Sequence, residues 1–576
     1  MTDQKNQSAH NFYIPVMGTG FTIDTPLRVA PYGISSVISL VDDQLIEQMR
    51  KHHCQKAREP YEEIRKGDDD FRARRITTYL NLIDRLVQQK VQTLQSSPFE
   101  TDSEITKYFE MLPESNLKKE YSKMLEASDL QKKAQMQEEL RRRATPGSID
   151  VNIMTKLNND EYQNGQKLPP EYAHGLAALR GYAKSTLHSS IIFSAGINQR
   201  LYAYIKEFDD FFPDENNGLK KKIILKVSDY RSALLQGKFL AKKGLWVSEY
   251  RIESGLNCGG HAFATKGFLI GPILEQFKQK RQELLETQYS MFKKSLEIQG
   301  RPVNDAPPEM TITMQGGIGT HDENTLLFKQ YSVNGVGWGT PFMLVPEVTN
   351  VDEEHLKKLS QAGNDDVYLS DSSPLNIPFW NLRTSASEEA RRQRIEENQM
   401  GSSCPKGFLK FNSEMTNTPI CTASRVYQKR KLREIAEGEV SKDKLTLIKE
   451  SILNKSCICH DLAGCATRMN ELDPKATPAV CCGPNIVNFS KICTLKEMVD
   501  HIYGRISILT NPKRSHMFIK ELRLYVDYLC NEMKKRELGL SDSSAKYFSE
   551  FKDHLLEGIE YYQDLSNQVK EKYRVL

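Results

Sequence analysis

Residues 311 to 342, TITMQGGIGTHDENTLLFKQYSVNGVGWGTPF, constrain the fold of this chain more than any other stretch. A β-rich run, Thr311-Ile312-Thr313-Met314, stops at Gly316-Gly317-Ile318-Gly319. A helical segment follows, and a second short apolar run stops at Gly337-Trp338-Gly339-Thr340. Two strands that each end in glycines, with one helix between them, describe strands 7 and 8 of a (β/α)8 barrel, whose following loops bind phosphate. Glycine lets backbone N–H groups approach an anion with no Cβ in the way. The competing explanation is two unrelated tight turns.

The rest of the chain decides between them. Short apolar runs bounded by turn residues read as buried parallel strands. They occur at Tyr13-Ile14-Pro15-Val16-Met17, 34–41, 149–154, 190–196, 222–227 and 245–248. With the two glycine-ended runs they make eight strand candidates before residue 345, the number that closes a barrel. The rhythm is broken at 42–147, charged and helical in period, which predicts a helical insertion far longer than a usual connection. A second helical insertion is expected over about 268–305. The organisation is therefore a first part of the barrel at 11–41, an insertion at 42–147, the remaining barrel at 148–350, and a helical, cysteine-containing extension at 351–576.

A length of 576 residues allows three or four units, or one large barrel with additions. A net charge of +4 gives no reason to expect nucleic acid as a partner. There is no apolar run long enough for a membrane span and no apolar core of a secretory signal near the start, so a cytoplasmic protein is expected. In that compartment the eleven cysteines are read as reduced thiols or ligands, not as a disulfide framework.

Pro15-Val16-Met17-Gly18, Val151-Asn152, Gly259-Gly260-His261, Gly316-Gly317-Ile318 and Gly339-Thr340-Pro341-Phe342 follow one another in strand order. This order of strands and glycine signatures resembles the nitronate monooxygenase (2-nitropropane dioxygenase) family, whose barrel is shared with flavin-dependent enoyl-acyl carrier protein reductases. Val16 is an insertion relative to the family's adjacent Pro-Met. The resemblance implies bound FMN, with Met17, Asn152, Gly259 and Gly260 beside the flavin. Its phosphate would lie against Gly316, Gly317, Gly339 and Thr340. His261 would be the catalytic acid–base group, expected at the end of strand 6, since an imidazole titrates near neutral pH.

Lys226 near the end of strand 5 is either a stabiliser of reduced-flavin charge or a surface lysine. Gln315 is either a flavin contact or a solvated turn residue. Cys457, Cys459, Cys465, Cys481, Cys482 and Cys493 are dense enough for zinc or an iron–sulfur cluster, but no standard spacing is met, so buried free thiols remain open and no metal ligand is assigned. Cys404 and Cys421 are more distant candidates. The leading expectation is an FMN-dependent oxidoreductase that oxidises a small nitronate-like carbon acid with dioxygen. The alternatives are an NAD(P)H-dependent enoyl reductase, with an acyl carrier protein as partner, and a non-catalytic flavin-barrel binding protein.

Overall fold

The structure is a computed structural model and describes residues 8–163, 165–194, 196–262, 266–437, 442–539, 541 and 543–574. Residues 438–441, inside a region expected to be helical, lie outside the described residues, as does part of the N-terminal segment read for a signal. Eight strands close a barrel. They are β1 (Phe12–Ile14), β2 (Ser35–Ser39), β3 (Ile149–Ile153), β4 (Ser189–Phe193), β5 (Lys221–Val227), β6 (Val247–Glu253), β7 (Thr311–Gln315) and β8 (Gly335–Gly337). Every neighbouring pair is parallel, and β8 returns to β1 with Phe12 opposite Val336. This is the expected (β/α)8 barrel.

Side chains alternate between the outside and the inside of the barrel, as strand geometry demands. Ile38, Val151, Ile191, Leu225 and Ile252 point outwards into the main core beneath the helices. Val37, Ile192 and Ile224 belong to a separate small apolar cluster with Val16. The other inward positions are polar, aromatic or glycine. Register sets Glu249, Arg251 and Glu253 beside Thr311, Thr313 and Gln315. The Arg251 guanidinium lies 2.6 Å from Glu249 and 3.8 Å above the Tyr13 ring. Gly337 admits that ring, because a Cβ there would come within 2.9 Å of it.

The insertion is helical, as expected, and comprises Asp43–Ala57, Phe71–Ser96, Glu104–Met111, Asn116–Glu126 and Leu130–Arg143. Helix Phe71–Ser96 contributes Ile76, Tyr79, Leu80 and Ile83 to the main core, so it is part of the barrel's outer layer. The later helices build a second core around Tyr108, Phe109 and Met124. The extension is not purely helical. Val367–Ser370 and Phe379–Leu382 pair antiparallel, and the latter also pairs with Gly260–His261 of the loop after β6. Among the described residues no helix is long and apolar enough to cross a membrane.

Removing one partner of a buried ion pair costs about 3–5 kcal/mol, because the other charge is left unpaired. Arg251→Met should therefore unfold at markedly lower urea, by about that amount, and adding Glu249→Gln should restore part of the loss. Equal urea midpoints for wild type and Arg251→Met would show that the pair does not hold the barrel.

Candidate active site

A cavity of about 160 Å³ sits at the C-terminal mouth of the barrel. Its floor is made by the last inward positions of the strands, among them Ser39, Asn152, Lys226 and Glu253. Its roof is the extension, through Phe379, Phe408, Leu409, Ile458 and Leu462. Barrel active sites occupy this face, where loops of several strands converge.

Lys226 Nζ lies 3.0 Å from a Glu253 carboxylate oxygen, and Gln315 Nε2 donates to the other at 2.5 Å. Lys226 is therefore a cavity residue, and Gln315 is buried rather than solvated. Among the described residues, Asn152 Oδ1 and Thr19 Oγ1 are buried and have no hydrogen-bond partner. Both residues line the cavity. An unsatisfied buried polar atom costs roughly 1–3 kcal/mol, which a polar ligand atom would recover.

His261 lies further on than expected. Strand β6 ends at Glu253, and Gly260–His261 forms a short strand of the small sheet instead. His261 Nε2 is 2.7 Å from Ser373 Oγ, and the ring meets the Phe379 ring edge-on at 5.1 Å. Burial, reinforced by the charges of Lys156 and Lys226, pushes its pKa down to about 4. The imidazole is thus neutral at pH 7, a state able to accept a proton.

The glycine loops expected to cradle phosphate lie outside the cavity lining, beneath residues of the extension. Arg514 Nη2 donates to Gly317 O at 3.1 Å, Asn485 Nδ2 to Ile318 O at 2.7 Å, and Gly319 N to Glu323 Oε2 at 2.8 Å. A Cβ on Gly317 would fall 2.9 Å from Leu256, and one on Gly316 would meet the backbone of Asn257. Gly339 packs against the Cys258 side chain, and Thr340 Oγ1 donates to Cys258 O at 3.3 Å. Met17 is buried, and its N–H donates to Thr22 Oγ1 at 3.3 Å. Of the residues expected beside a flavin, Asn152, Gly259, Gly260 and His261 line the cavity. Met17, Gly316, Gly317, Gly339 and Thr340 do not. Gly259 has a different reason to be glycine: its φ is +126°, and a Cβ would fall 1.7 Å from Cys481 O. The extension crosses there.

FMN thus meets a divided answer. The ring-side residues fit it, with an orphaned amide oxygen among them. On the phosphate side, Arg514 and Asn485 of the extension cover the loop after β7, and the cavity is below the roughly 300–1,000 Å³ usual for ligand pockets. Neither a protein-family model nor a curated protein matches this chain.

The cysteines adjacent in sequence are dispersed in space. Cys481 lines the cavity, Cys493 N donates to Leu344 O, and Cys465 sits with Asp352 and His355. That trio is not a ready metal site. His355 Nε2 is 3.1 Å from the Ala386 N–H and accepts from it, so the ring proton is on Nδ1, 2.9 Å from Asp352. Neither nitrogen then has a lone pair to offer. Sequence reasoning missed Glu253, Ser373, Thr19 and the roof residues, because pairing and cover of this kind leave no motif.

The lowered His261 pKa has a thermodynamic consequence. Between pH 6.5 and about 4 the unfolded chain protonates this histidine while the folded chain resists. Its contribution to stability is complete above that window and is lost as pH falls through it, at up to about 1.4 kcal/mol per pH unit. The stability advantage of wild type over His261→Gln should therefore shrink from pH 6.5 to 4 in urea titrations. A pH-independent gap would show that His261 titrates normally.

Proposed function

We propose that the protein is an FMN-dependent oxidoreductase acting at the mouth cavity on a small nitronate-like carbon acid, with dioxygen as the oxidant. The observation that carries this reading is the convergence of Asn152, Gly259, Gly260 and His261 on one cavity at the barrel mouth. These are ring-side residues in the family that the sequence resembles. Bound FMN would supply the two-electron redox chemistry, and the protein would supply placement and polarity.

The chain's own residues have definable tasks. The neutral His261 imidazole accepts the proton of an acidic C–H bond, and the electron pair stays on the substrate. Ser373, hydrogen-bonded to Nε2, fixes the ring's orientation. Lys226 brings a cation to the same cavity, where an anion formed on the substrate gains from it, and Glu253 holds the ammonium in place. The Asn152 amide offers a donor and an acceptor. The apolar roof of Phe379, Phe408 and Leu462 excludes water and so strengthens these interactions.

The small volume of the cavity favours a second reading, in which the same residues move a proton on a small carbon acid with no cofactor. Denaturing the purified protein and identifying the released chromophore separates the two. FMN supports the first reading. A colourless protein that stays colourless after incubation with FMN removes it. In either case His261→Ala should lower turnover by about 10²–10⁴-fold, the usual contribution of a general acid–base group. Unchanged kcat would take His261 out of the mechanism.

A further inference from the structure

We propose that the exposed face of helix Met517–Glu537 is a dimer interface, on which a second copy of this chain packs the same helix antiparallel about Cys530. The helix has 21 residues and two unlike faces. Its inner face is occupied. Met517, Phe518, Glu521 and Tyr525 are buried, and Tyr525 packs with Leu269, Phe551 and Leu555. Glu521 accepts from Ser254 Oγ at 2.6 Å and from the Ile270 N–H at 2.7 Å, which fixes the helix against the loop after β6.

The outer face is not the polar surface that a solvated helix carries. Ile519, Val526 and Met533 are 40%, 41% and 46% exposed. They recur every seven residues, two helical turns, and so form one row, unlike the scattered single residues common on protein surfaces. A second row runs beside it: Arg523, Asp527, Cys530, Lys534 and Glu537, all exposed. Among the described residues none of these four charged side chains is in an ion pair, whereas Lys535 of the same helix pairs with Glu532 and Asp371.

The order of the signs identifies the occupant. From Cys530 the row runs through Asp527 to Arg523 in one direction, and through Lys534 to Glu537 in the other. Turning the helix end for end about Cys530 therefore sets each charge against its opposite. A two-fold axis through Cys530 brings Arg523 of one copy level with Glu537 of the other. It brings Asp527 within one residue's rise, about 1.5 Å, of Lys534. The same axis keeps apolar row on apolar row, with Val526 beside Met533 to the same tolerance. A parallel pair would set like charge on like charge at each of these positions, which is costly. At the roughly 8–10 Å separation of packed helices, the two Cys530 side chains face each other on the axis. The inference is independent of the flavin reading.

The test is sedimentation and light scattering of the full, reduced chain over a range of micromolar concentrations. A mass of twice 65.9 kDa is expected. Arg523→Glu sets two carboxylates together in each of two symmetric contacts, and should raise the dimer Kd by about tenfold or more. Adding Glu537→Arg restores opposite signs and should recover the dimer, a repair that a merely misfolded variant would not show. A short bismaleimide should link two chains through Cys530, the one exposed thiol of the eleven, and Cys530→Ser should abolish the link. A monomer at every concentration, or a dimer indifferent to Arg523→Glu, would overturn the proposal. So would a charge-swapped double variant that stays monomeric, or linking that survives Cys530→Ser.

Discussion

The buried ion pair between Arg514 and Glu323 joins the two halves of this molecule. The groups are 2.7 Å apart, with side chains 3% and 2% exposed. Glu323 lies in the helix that follows β7, and it also accepts from the backbone N–H groups of Gly319 and Met517. Arg514 also binds Gly317 O. A charge buried this deeply is tolerable only when an opposite charge and hydrogen bonds offset its desolvation. The pair therefore docks the extension on the loop and helix that follow β7. The mouth is closed on that side, and the cavity lies under the rest of the rim.

Most of the architecture was legible from the sequence. Buried parallel strands have to be short apolar runs, and 149–154, 190–196 and 222–227 announced β3, β4 and β5 in that way. The charged periodicity of 42–147 announced its helices. The small sheet was not legible, because Gly260–His261 is too short to carry an alternation and its partner lies more than a hundred residues on. The glycines misled for a physical reason. A glycine reports that something comes close to the backbone, not what comes close. At Gly317 and Gly259 the visitor is the protein's own side chain or backbone.

The site was legible in part for the same reason. Asn152 was named by the family resemblance and Lys226 by its place near the end of strand 5, and both line the cavity at the mouth. Thr19 and Ser373 were invisible, since the first matters through its burial and the second through a partner from another segment. The cysteines show the limit most clearly. Density along the chain grouped Cys457, Cys459, Cys465, Cys481, Cys482 and Cys493, whereas Cys465 packs with Asp352 and His355 and Cys481 lines the cavity.

The pairing of Gly260–His261 with Phe379–Trp380 also orders events in time. The eighth strand is complete at Gly337, so a nascent chain on the ribosome can close its barrel before Phe379 is made. Domains generally fold as units during synthesis, N-terminal parts first. At that stage the imidazole has no strand to pair with and no roof above it. Until the last third of the chain is released and docks, the mouth of the barrel has no roof, and the cavity takes shape only as the final act of folding.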